Sequence, residues 1–243
     1  MHFRLLSYNI HKGIGGIDRR YDLGRIRDTI HHYRPDVALL QEVETGAPRS
    51  RHHDQAKLLA SDTGLAHFVY QHIVKLKLGH YGNAILSRWP LQDPLYVDLT
   101  LRPKKRRGAI LARCRIPVGV HTKTIVLANL HLGLSGIERQ WQLRRLLRTR
   151  ELTALRARTP LVVGGDYNDV WHSLGRRVMV PAGFTPAGPP LRTFPARLPL
   201  RPLDRVFLRG DLRAVHAFVG HTDTARQASD HLPLVVEFEF TRK

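Results

Sequence analysis

Short apolar runs recur along the whole chain, and most of them end on an acid, an amide or an imidazole. Runs of this length and β-branched content are typical of buried strands. A polar side chain at the end of such a strand is costly inside a core, whereas at a sheet edge it faces a cleft. We therefore expect one rim to collect these groups into a site able to bind a divalent metal, hold a phosphate and activate a water. The groups are Asn9, Glu42, Asn83, His131, Asp166, Asn168, Asp204, Asp230 and His231.

Amphipathic segments alternate with these runs. Residues 22–34 and 52–64 space their apolar side chains at helical intervals and predict two helices. The segment 135–158 opens with Ser135 as a possible N-cap and Glu138 three residues later, which predicts a long helix. Its expected buried stripe comprises Ile137, Trp141, Leu146 or Leu147, and Leu155.

The mixture of strands and helices indicates sheets covered by helices. One segment stands apart, because residues 179–202 are rich in proline and lack a period, so we expect a long surface excursion there. At 243 residues the chain can bury a full core, and no linker rich in Gly, Ser or Pro divides it. We therefore expect a single domain over residues 1–243, while the oligomeric state stays open.

The first apolar run is too short for a signal peptide or a membrane span and contains Arg4, so it predicts a first strand. Cys114 is the only cysteine, which excludes an intramolecular disulfide and suits a reducing compartment. We expect a cytoplasmic protein without a transmembrane segment.

Charge adds information about the partner. The 39 Lys and Arg residues outnumber the 20 Asp and Glu residues and give a net charge of +19 at pH 7. Such an excess favours polyanions, either nucleic acid or an anionic phospholipid surface. Arginine dominates the excess, so a genome-wide preference for arginine is an alternative explanation. Few aromatic residues accompany the basic clusters, which favours contacts to a phosphate backbone over base stacking.

The motifs occur in a recognisable order. SYNIHKG, QEV, GNAILSR, NLHLG, GGDYND, LDRVF and SDHLPL together resemble the endonuclease/exonuclease/phosphatase superfamily, which includes enzymes similar to deoxyribonuclease I and exonuclease III. Each motif alone is weak, but seven in this order are specific. The resemblance implies an α/β fold arranged as a four-layer α/β/β/α sandwich. Two mixed sheets would pack face to face, with the helices outside and the site at one rim.

The resemblance also implies a metal site. Glu42 matches the family residue that holds Mg²⁺ or Mn²⁺, and Mg²⁺ needs only one or two carboxylates beside waters and substrate phosphate. Asn9 would hold Glu42 or the waters of the metal, and Asp230 would lie near the metal. Enzymes similar to exonuclease III carry a further metal-binding Asp where this chain has His11, which favours one principal metal.

Catalytic roles follow at the other motifs. If Asp166 and Asn168 continue an extended backbone, their side chains point to the same side, one to orient water and one to contact phosphate. The histidine of the last motif, His231, serves in the family as a general base or a transition-state stabiliser, and Asp204 would orient it. His131 would contact the phosphate or protonate the leaving oxygen. Enzymes similar to deoxyribonuclease I carry an acid upstream of the GN motif, beside their equivalent of His131. This chain has no acid there, so the partner of His131 stays open.

Substrate contacts are expected from Asn83 and from the basic clusters, of which Arg107, Arg192 and Arg197 lie beside site motifs. The expected function is metal-dependent hydrolysis of a phosphodiester, with DNA as the first candidate substrate and endonuclease or exonuclease action as the form. A phospholipid or sphingomyelinase-like phosphodiesterase is the alternative, because the family fold and a basic surface suit it equally. A catalytically inactive module that binds polyanions is the third possibility.

Overall fold

The computed structural model describes residues 2–241. Its first sheet has six strands in the order β11-β12-β1-β2-β4-β3. The first two strands of the chain pair in parallel, and every other pair in this sheet is antiparallel. The strands are β1 (His2–Asn9), β2 (Val37–Thr45), β3 (His67–Lys75), β4 (His80–Ser87), β11 (Leu212–Val219) and β12 (Leu234–Phe240).

The second sheet also has six strands, in the order β5-β6-β7-β8-β10-β9. Only β7 and β8 pair in parallel, so both sheets are mixed. The strands are β5 (Leu91–Asp98), β6 (Gly108–Val118), β7 (His121–His131), β8 (Leu161–Asp166), β9 (Thr185–Pro186) and β10 (Asp204–Arg209).

Four of the five α-helices within residues 2–241 begin at a side-chain cap, and the fourth in chain order does not. Asp22 accepts a hydrogen bond from the backbone of Arg25, and Ser135 accepts one from Glu138, as its position predicted. None of the helices among residues 2–241 is long and apolar enough to cross a membrane. The helices are α1 (Leu23–Tyr33), α2 (Gln55–Thr63), α3 (Gly136–Leu147), α4 (Arg150–Thr153) and α5 (Asp223–Ala228).

Three apolar cores define four layers. The central core lies between the sheets and joins Leu39 of the first sheet to Val162 of the second. On the outer face of the first sheet, α1 contributes Ile30 to a core with β2. On the outer face of the second sheet, α3 contributes Leu143 and Leu146. The predicted four-layer α/β/β/α sandwich is therefore confirmed.

Two buried amides connect the sheets through the central layer. Gln41 Nε2 donates to Asn129 Oδ1 at 2.7 Å, and Asn129 Nδ2 donates to the carbonyls of Leu40 and Ala84 at 2.8 Å each. Gln41 and Asn129 are both fully buried. Each of these bonds links the second sheet to β2 or β4, because Asn129 belongs to β7.

The prediction for residues 135–158 was wrong in two respects. The helix breaks after Leu147, and the expected stripe residues Ile137 and Trp141 are 82% and 37% exposed. The buried face instead includes Gln142, whose amide accepts from the backbone of Gly133 and donates to the carbonyl of Leu99. The expected Leu146 is fully buried, but in the preceding turns a bonded polar residue occupies the core side, so the apolar pattern selected the wrong residues there.

Residues 179–202 are also not a plain surface excursion. Met179 and Thr193 are fully buried, and Phe184 is 2% exposed within the outer core of the second sheet. The short strand β9 in this segment pairs with β10. Aperiodic segments bury single residues through irregular turns, which leaves no periodic signal in the sequence.

Candidate active site

Strand ends from both sheets meet at one rim of the sandwich. Asp166, the last residue of β8, pairs in register with His131 of β7 and with Asp204 of β10. In the first sheet, Asn9 at the end of β1 pairs with Gln41, directly before Glu42. The pairing of three strands therefore aligns the acids and the imidazole that the motifs supply.

Asp166 is the centre of the cluster. Its Oδ2 accepts from Asn9 Nδ2 at 3.1 Å and lies 3.4 Å from His131 Nε2 and 3.8 Å from His231 Nε2. Its Oδ1 accepts from the backbone N–H of Asn168 at 2.9 Å. All of these residues except Asn168 are at most 5% exposed. A carboxylate from the second sheet is thus held against an amide from the first.

A glycine permits this arrangement. Gly165 has a φ of 137°, and a Cβ there would lie 2.0 Å from the carbonyl oxygen of Leu130. No other residue fits such a close approach between β8 and β7. The glycine that precedes Asp166 in the GGDYND motif therefore allows the backbones of β8 and β7 to approach closely.

His231 is oriented by a carboxylate on its other side. Its Nδ1 lies 2.8 Å from Asp204 Oδ2, which also accepts from Thr193 Oγ1 at 2.6 Å. Burial lowers the pKa of His231, but the charge and hydrogen bond of Asp204 outweigh burial and raise it to about 10. His231 is therefore an imidazolium near neutral pH, with Asp204 as the predicted orienting partner.

The pKa values of Asp166 and His131 shift in opposite directions. Burial raises the pKa of Asp166 to about 6, against the opposing charge of His231. Burial and the neighbouring Arg107 charge hold the pKa of His131 well below its usual range. The site near neutral pH thus combines an ionised but easily protonated carboxylate, a neutral imidazole and a charged imidazole.

Glu42 lies at an irregularity of β2. The pairing of β2 with β4 shifts register between Leu40 and Val43, and Glu42 adopts a φ of 54°. Its carboxylate forms an ion pair with Lys12, which also has a positive φ, of 64°. Burial raises the pKa of Glu42, but the charge of Lys12 outweighs burial and lowers that pKa to about 2. The bulge therefore turns an ionised carboxylate towards the cleft.

The donor set suits a sparsely coordinated ion. Among residues 2–241 no three His, Cys, Asp or Glu side chains form a metal-binding group. Mg²⁺ can bind through one or two carboxylates, with waters and substrate phosphate supplying the remaining oxygens. Glu42 is ionised and already attracts a cation, so it fits that requirement. Asp230 is less enclosed, with a side chain 30% exposed and Oδ1 3.9 Å from His11 Nδ1.

The expected contact between Asn9 and Glu42 is not formed, and the backbone is not extended at Asn168; the contacts of Asn9 to the waters of a metal and of Asn168 to phosphate stay predictions. Asn9 donates to Asp166, not to Glu42, and its Oδ1 accepts from the backbone of His11 at 3.1 Å. Asn168 has a φ of 50° and does not continue an extended backbone. Its Nδ2 instead donates to the carbonyl of Leu132 at 2.9 Å. The chain turns after Asp166, and Asn tolerates the left-handed conformation that the turn requires.

The predicted substrate residues fall into two groups. Asn83 Nδ2 donates to the carbonyl of Gly108 at 3.0 Å, and the adjacent Arg107 is 9% exposed beside His131. Arg192 is exposed, and no hydrogen bond or ion pair within residues 2–241 joins it to the cluster. Arg197 lines a separate cleft that reaches Asp230. Asn83 and Arg107 are therefore the substrate candidates that the fold places next to His131, which pairs in register with Gly108.

Three residues at the site were not predicted. Lys12 pairs with Glu42, Thr193 holds Asp204, and Ser229 Oγ donates to the carbonyl of Asn9 at 2.7 Å while accepting from the backbone of His231 at 3.2 Å. Lys12 and Ser229 stand inside the first and last motifs, so their positions were a usable signal. Thr193 lies in the aperiodic segment 179–202, where no pattern in the sequence indicated a site residue.

Comparison with known proteins gives a consistent result. The family model described as "Endonuclease/Exonuclease/phosphatase family" matches residues 6–231. The uncharacterised protein YbhP of Escherichia coli K12 is 33% identical over 251 residues, covering 97% of this chain and 95% of that protein.

Solved structures show the same fold. An endonuclease/exonuclease/phosphatase from Beutenbergia cavernae is 24% identical with a TM-score of 0.81, covering 99% of this chain and 72% of that one. The human Nocturnin catalytic domain with bound sulfate anion is 22% identical with a TM-score of 0.72, covering 99% of this chain and 94% of that domain.

Proposed function

This chain belongs to the endonuclease/exonuclease/phosphatase family, whose members hydrolyse phosphoester bonds, and on that premise we propose that it is a divalent-metal-dependent phosphodiesterase acting on DNA. The observation that carries the proposal is the position of Asp166, which lies within 3.8 Å of Asn9, His131 and His231. A buried carboxylate with a pKa near 6 between two imidazoles is suited to proton transfer near neutral pH.

Glu42 would hold Mg²⁺ or Mn²⁺, with Asp230 near the ion, and the bound ion supplies positive charge against the phosphate oxygens. Asp166 Oδ2 orients the attacking water and takes its proton. Asn9 keeps that carboxylate in place through the 3.1 Å hydrogen bond. The protein residues thus prepare the nucleophile within a buried polar cluster.

The histidines have separate roles in this proposal. Because Asp204 keeps His231 protonated, its imidazolium stabilises the charge that develops during in-line attack and gives its Nε2 proton to the leaving oxygen as the P–O bond breaks. His131 is neutral and contacts the phosphate as a hydrogen-bonding group, not as an acid. The backbone N–H of Asn168 donates to Asp166 Oδ1 and helps to keep that carboxylate in place.

DNA is proposed as the substrate because of the net charge of +19 and because the buried Arg107 stands beside His131. Arginine side chains bind phosphate strongly and independently of base sequence. Arg192 and Arg197 would extend that contact from the segment that carries Thr193. The experiment below also distinguishes endonuclease from exonuclease cleavage and compares Mg²⁺ with Mn²⁺.

The test compares three substrates with each metal: supercoiled plasmid, a duplex with an abasic site, and phospholipid vesicles. We expect the DNA substrates to be cleaved, and Asp166→Asn to lower the rate by about 10² to 10⁴ while the fold is retained. Asp28→Asn on the exposed face of α1 is the matched control. Cleavage of phospholipid alone would favour the lipid phosphodiesterase, and binding without cleavage in every assay would leave the polyanion-binding module.

A further inference from the structure

The ammonium of Lys12 lies against the carboxylate that we assign to the metal. Its Nζ donates to Glu42 Oε2, and the two side chains are only 17% and 19% exposed. The partner of Glu42 in this structure is therefore a positive charge of the protein itself. A divalent ion that binds Glu42 must share the carboxylate with this ammonium or replace it.

The loop that carries Lys12 is fixed to the bulge that carries Glu42. Gln55 is fully buried, and its amide connects the two segments. Its Nε2 donates to the carbonyl of Lys12 at 2.7 Å, and its Oε1 accepts from the backbone of Glu44 at 2.7 Å. The left-handed backbones at Lys12 and Glu42 are costly for these residue types, and such conformations persist where the surrounding structure imposes them. The fold itself therefore brings this lysine to this carboxylate.

The Lys12 side chain has a second favourable position within reach. Its Nζ already lies 5.8 Å from the centre of the Tyr81 ring, and the face of a tyrosine ring attracts an ammonium at this distance. Tyr81 belongs to β4 and pairs in register with Glu44, two residues beyond Glu42. The ammonium can therefore leave Glu42 by a change of side-chain rotamers and remain close to an attractive surface.

Electrostatics opposes simultaneous binding of both cations. Like charges a few ångströms apart repel each other, and the repulsion is screened least where the groups are partly buried. Glu42 is the ion-pair partner of Lys12 among residues 2–241, whereas the central carboxylate of Asp166 accepts its hydrogen bonds from Asn9 and Asn168. Since no second carboxylate pairs with Lys12, the ion and the ammonium compete for the same negative charge.

We propose that Lys12 is a built-in competitor for the metal position. It neutralises Glu42 in the free protein, a divalent ion displaces it, and the displaced ammonium lies over the ring of Tyr81. Lys12 is thus a positioning residue that limits metal affinity, so the protein releases its ion readily when no substrate is bound. The inference rests on the proposed function for the position of the ion at Glu42, but metal affinity is measurable without hydrolysis.

Calorimetric titration with Mn²⁺ at pH 8 tests the competition. Lys12→Met removes the charge and keeps the length of the side chain. It should bind Mn²⁺ at least about 10-fold more tightly than the unaltered protein, because the ion no longer has to break a charge-assisted hydrogen bond. Lys75→Met makes the same change at the exposed end of β3 and should leave the affinity unchanged. Equal or weaker Mn²⁺ binding by Lys12→Met would overturn the proposal.

Acetylation of the unaltered protein gives a second readout, which remains informative if Lys12→Met does not fold. Acetic anhydride modifies free amines, and mass spectrometry compares Lys12 with the exposed Lys105 in EDTA and in saturating Mg²⁺. We expect Mg²⁺ to accelerate the acetylation of Lys12, because the ion pair opens, and to leave that of Lys105 unchanged. An unchanged rate at Lys12 would show that the ion pair persists and would overturn the proposal.

These measurements separate the inference from the proposed function. Tighter Mn²⁺ binding by Lys12→Met, in a protein that hydrolyses no DNA substrate, would retain the competition and refute only the proposed function. The reverse result is DNA hydrolysis with a Mn²⁺ affinity that falls in Glu42→Gln and does not change in Lys12→Met. That result would overturn the role of Lys12 and leave the proposed function intact.

Discussion

The hydroxyl of Thr193 offers a sharp test of how the site is held together. It donates to Asp204 Oδ2 at 2.6 Å, and the same oxygen lies 2.8 Å from His231 Nδ1. Thr193 and Asp204 are both fully buried, and the other carboxylate oxygen of Asp204 has no partner among the described residues. The substitution Thr193→Val preserves the shape of the side chain and removes this donor from a buried charge.

The size of the effect follows from the type of bond. A hydrogen bond to a charged group contributes about 1.5 to 3 kcal/mol to stability. For a protein of 243 residues that loss corresponds to a decrease in Tm of about 3 to 12 °C. Because Asp204 becomes less well oriented, turnover should also fall, by less than the 10²- to 10⁴-fold loss expected from removing the proton-transfer group itself.

Thermal and urea unfolding followed by circular dichroism measure the Tm and the free energy of unfolding of this variant, and hydrolysis of a phosphodiester measures its activity. Thr124→Val on the exposed part of β7 is the control, because it makes the same chemical change outside the core. In a double-mutant cycle with Asp204→Asn, the two losses should differ from additivity by at least about 0.5 kcal/mol. Additive losses, or a Tm equal to that of the control, would refute the proposed coupling.

Three further predictions concern other parts of the molecule. Glu42→Gln should weaken Mn²⁺ binding by at least about 10- to 100-fold, measured by calorimetry, and unchanged affinity would place the metal elsewhere. Burial raises the pKa of the Cys114 thiol to about 11, so the thiol stays protonated at pH 8. Ellman's reagent at pH 8 should therefore modify Cys114 only after denaturation. Rapid modification of the native protein would contradict its burial. Asn129→Leu leaves Gln41 Nε2 and the carbonyls of Leu40 and Ala84 without their partner, so urea unfolding should show a loss of at least about 3 kcal/mol, whereas a smaller loss would mean that the bonds contribute little.

Strand ends were the most predictable part of this protein. A run of apolar residues predicts a buried strand, and the polar residue at the end of the run predicts a site residue. Asp166 at the end of β8 is an example. The order of the motifs then indicated the family and the layered fold, both of which are confirmed. The roles of the individual site residues stay predictions.

Other features depend on pairing that no local pattern records. Gln142 occupies the buried face of α3 because the backbone groups of Gly133 and Leu99 satisfy its amide. Thr193 reaches Asp204 from an aperiodic segment. Asn168 lies two residues after Asp166 in the motif, yet its own left-handed backbone directs its side-chain amide to Leu132. In each case the position is determined by a hydrogen-bond partner distant in sequence or by the backbone turn, and neither changes the apolar periodicity.

The amide of Asn129 has a mechanical consequence for the whole enzyme. The candidate site at the rim combines strand ends from both sheets. Sliding one sheet past the other by a single residue would break all of the bonds that this amide makes to β2 and β4. The strand ends of the two sheets therefore keep a fixed distance from each other. Selectivity among ligands then depends on how well each one fits that fixed opening, and not on closure of the sheets around it.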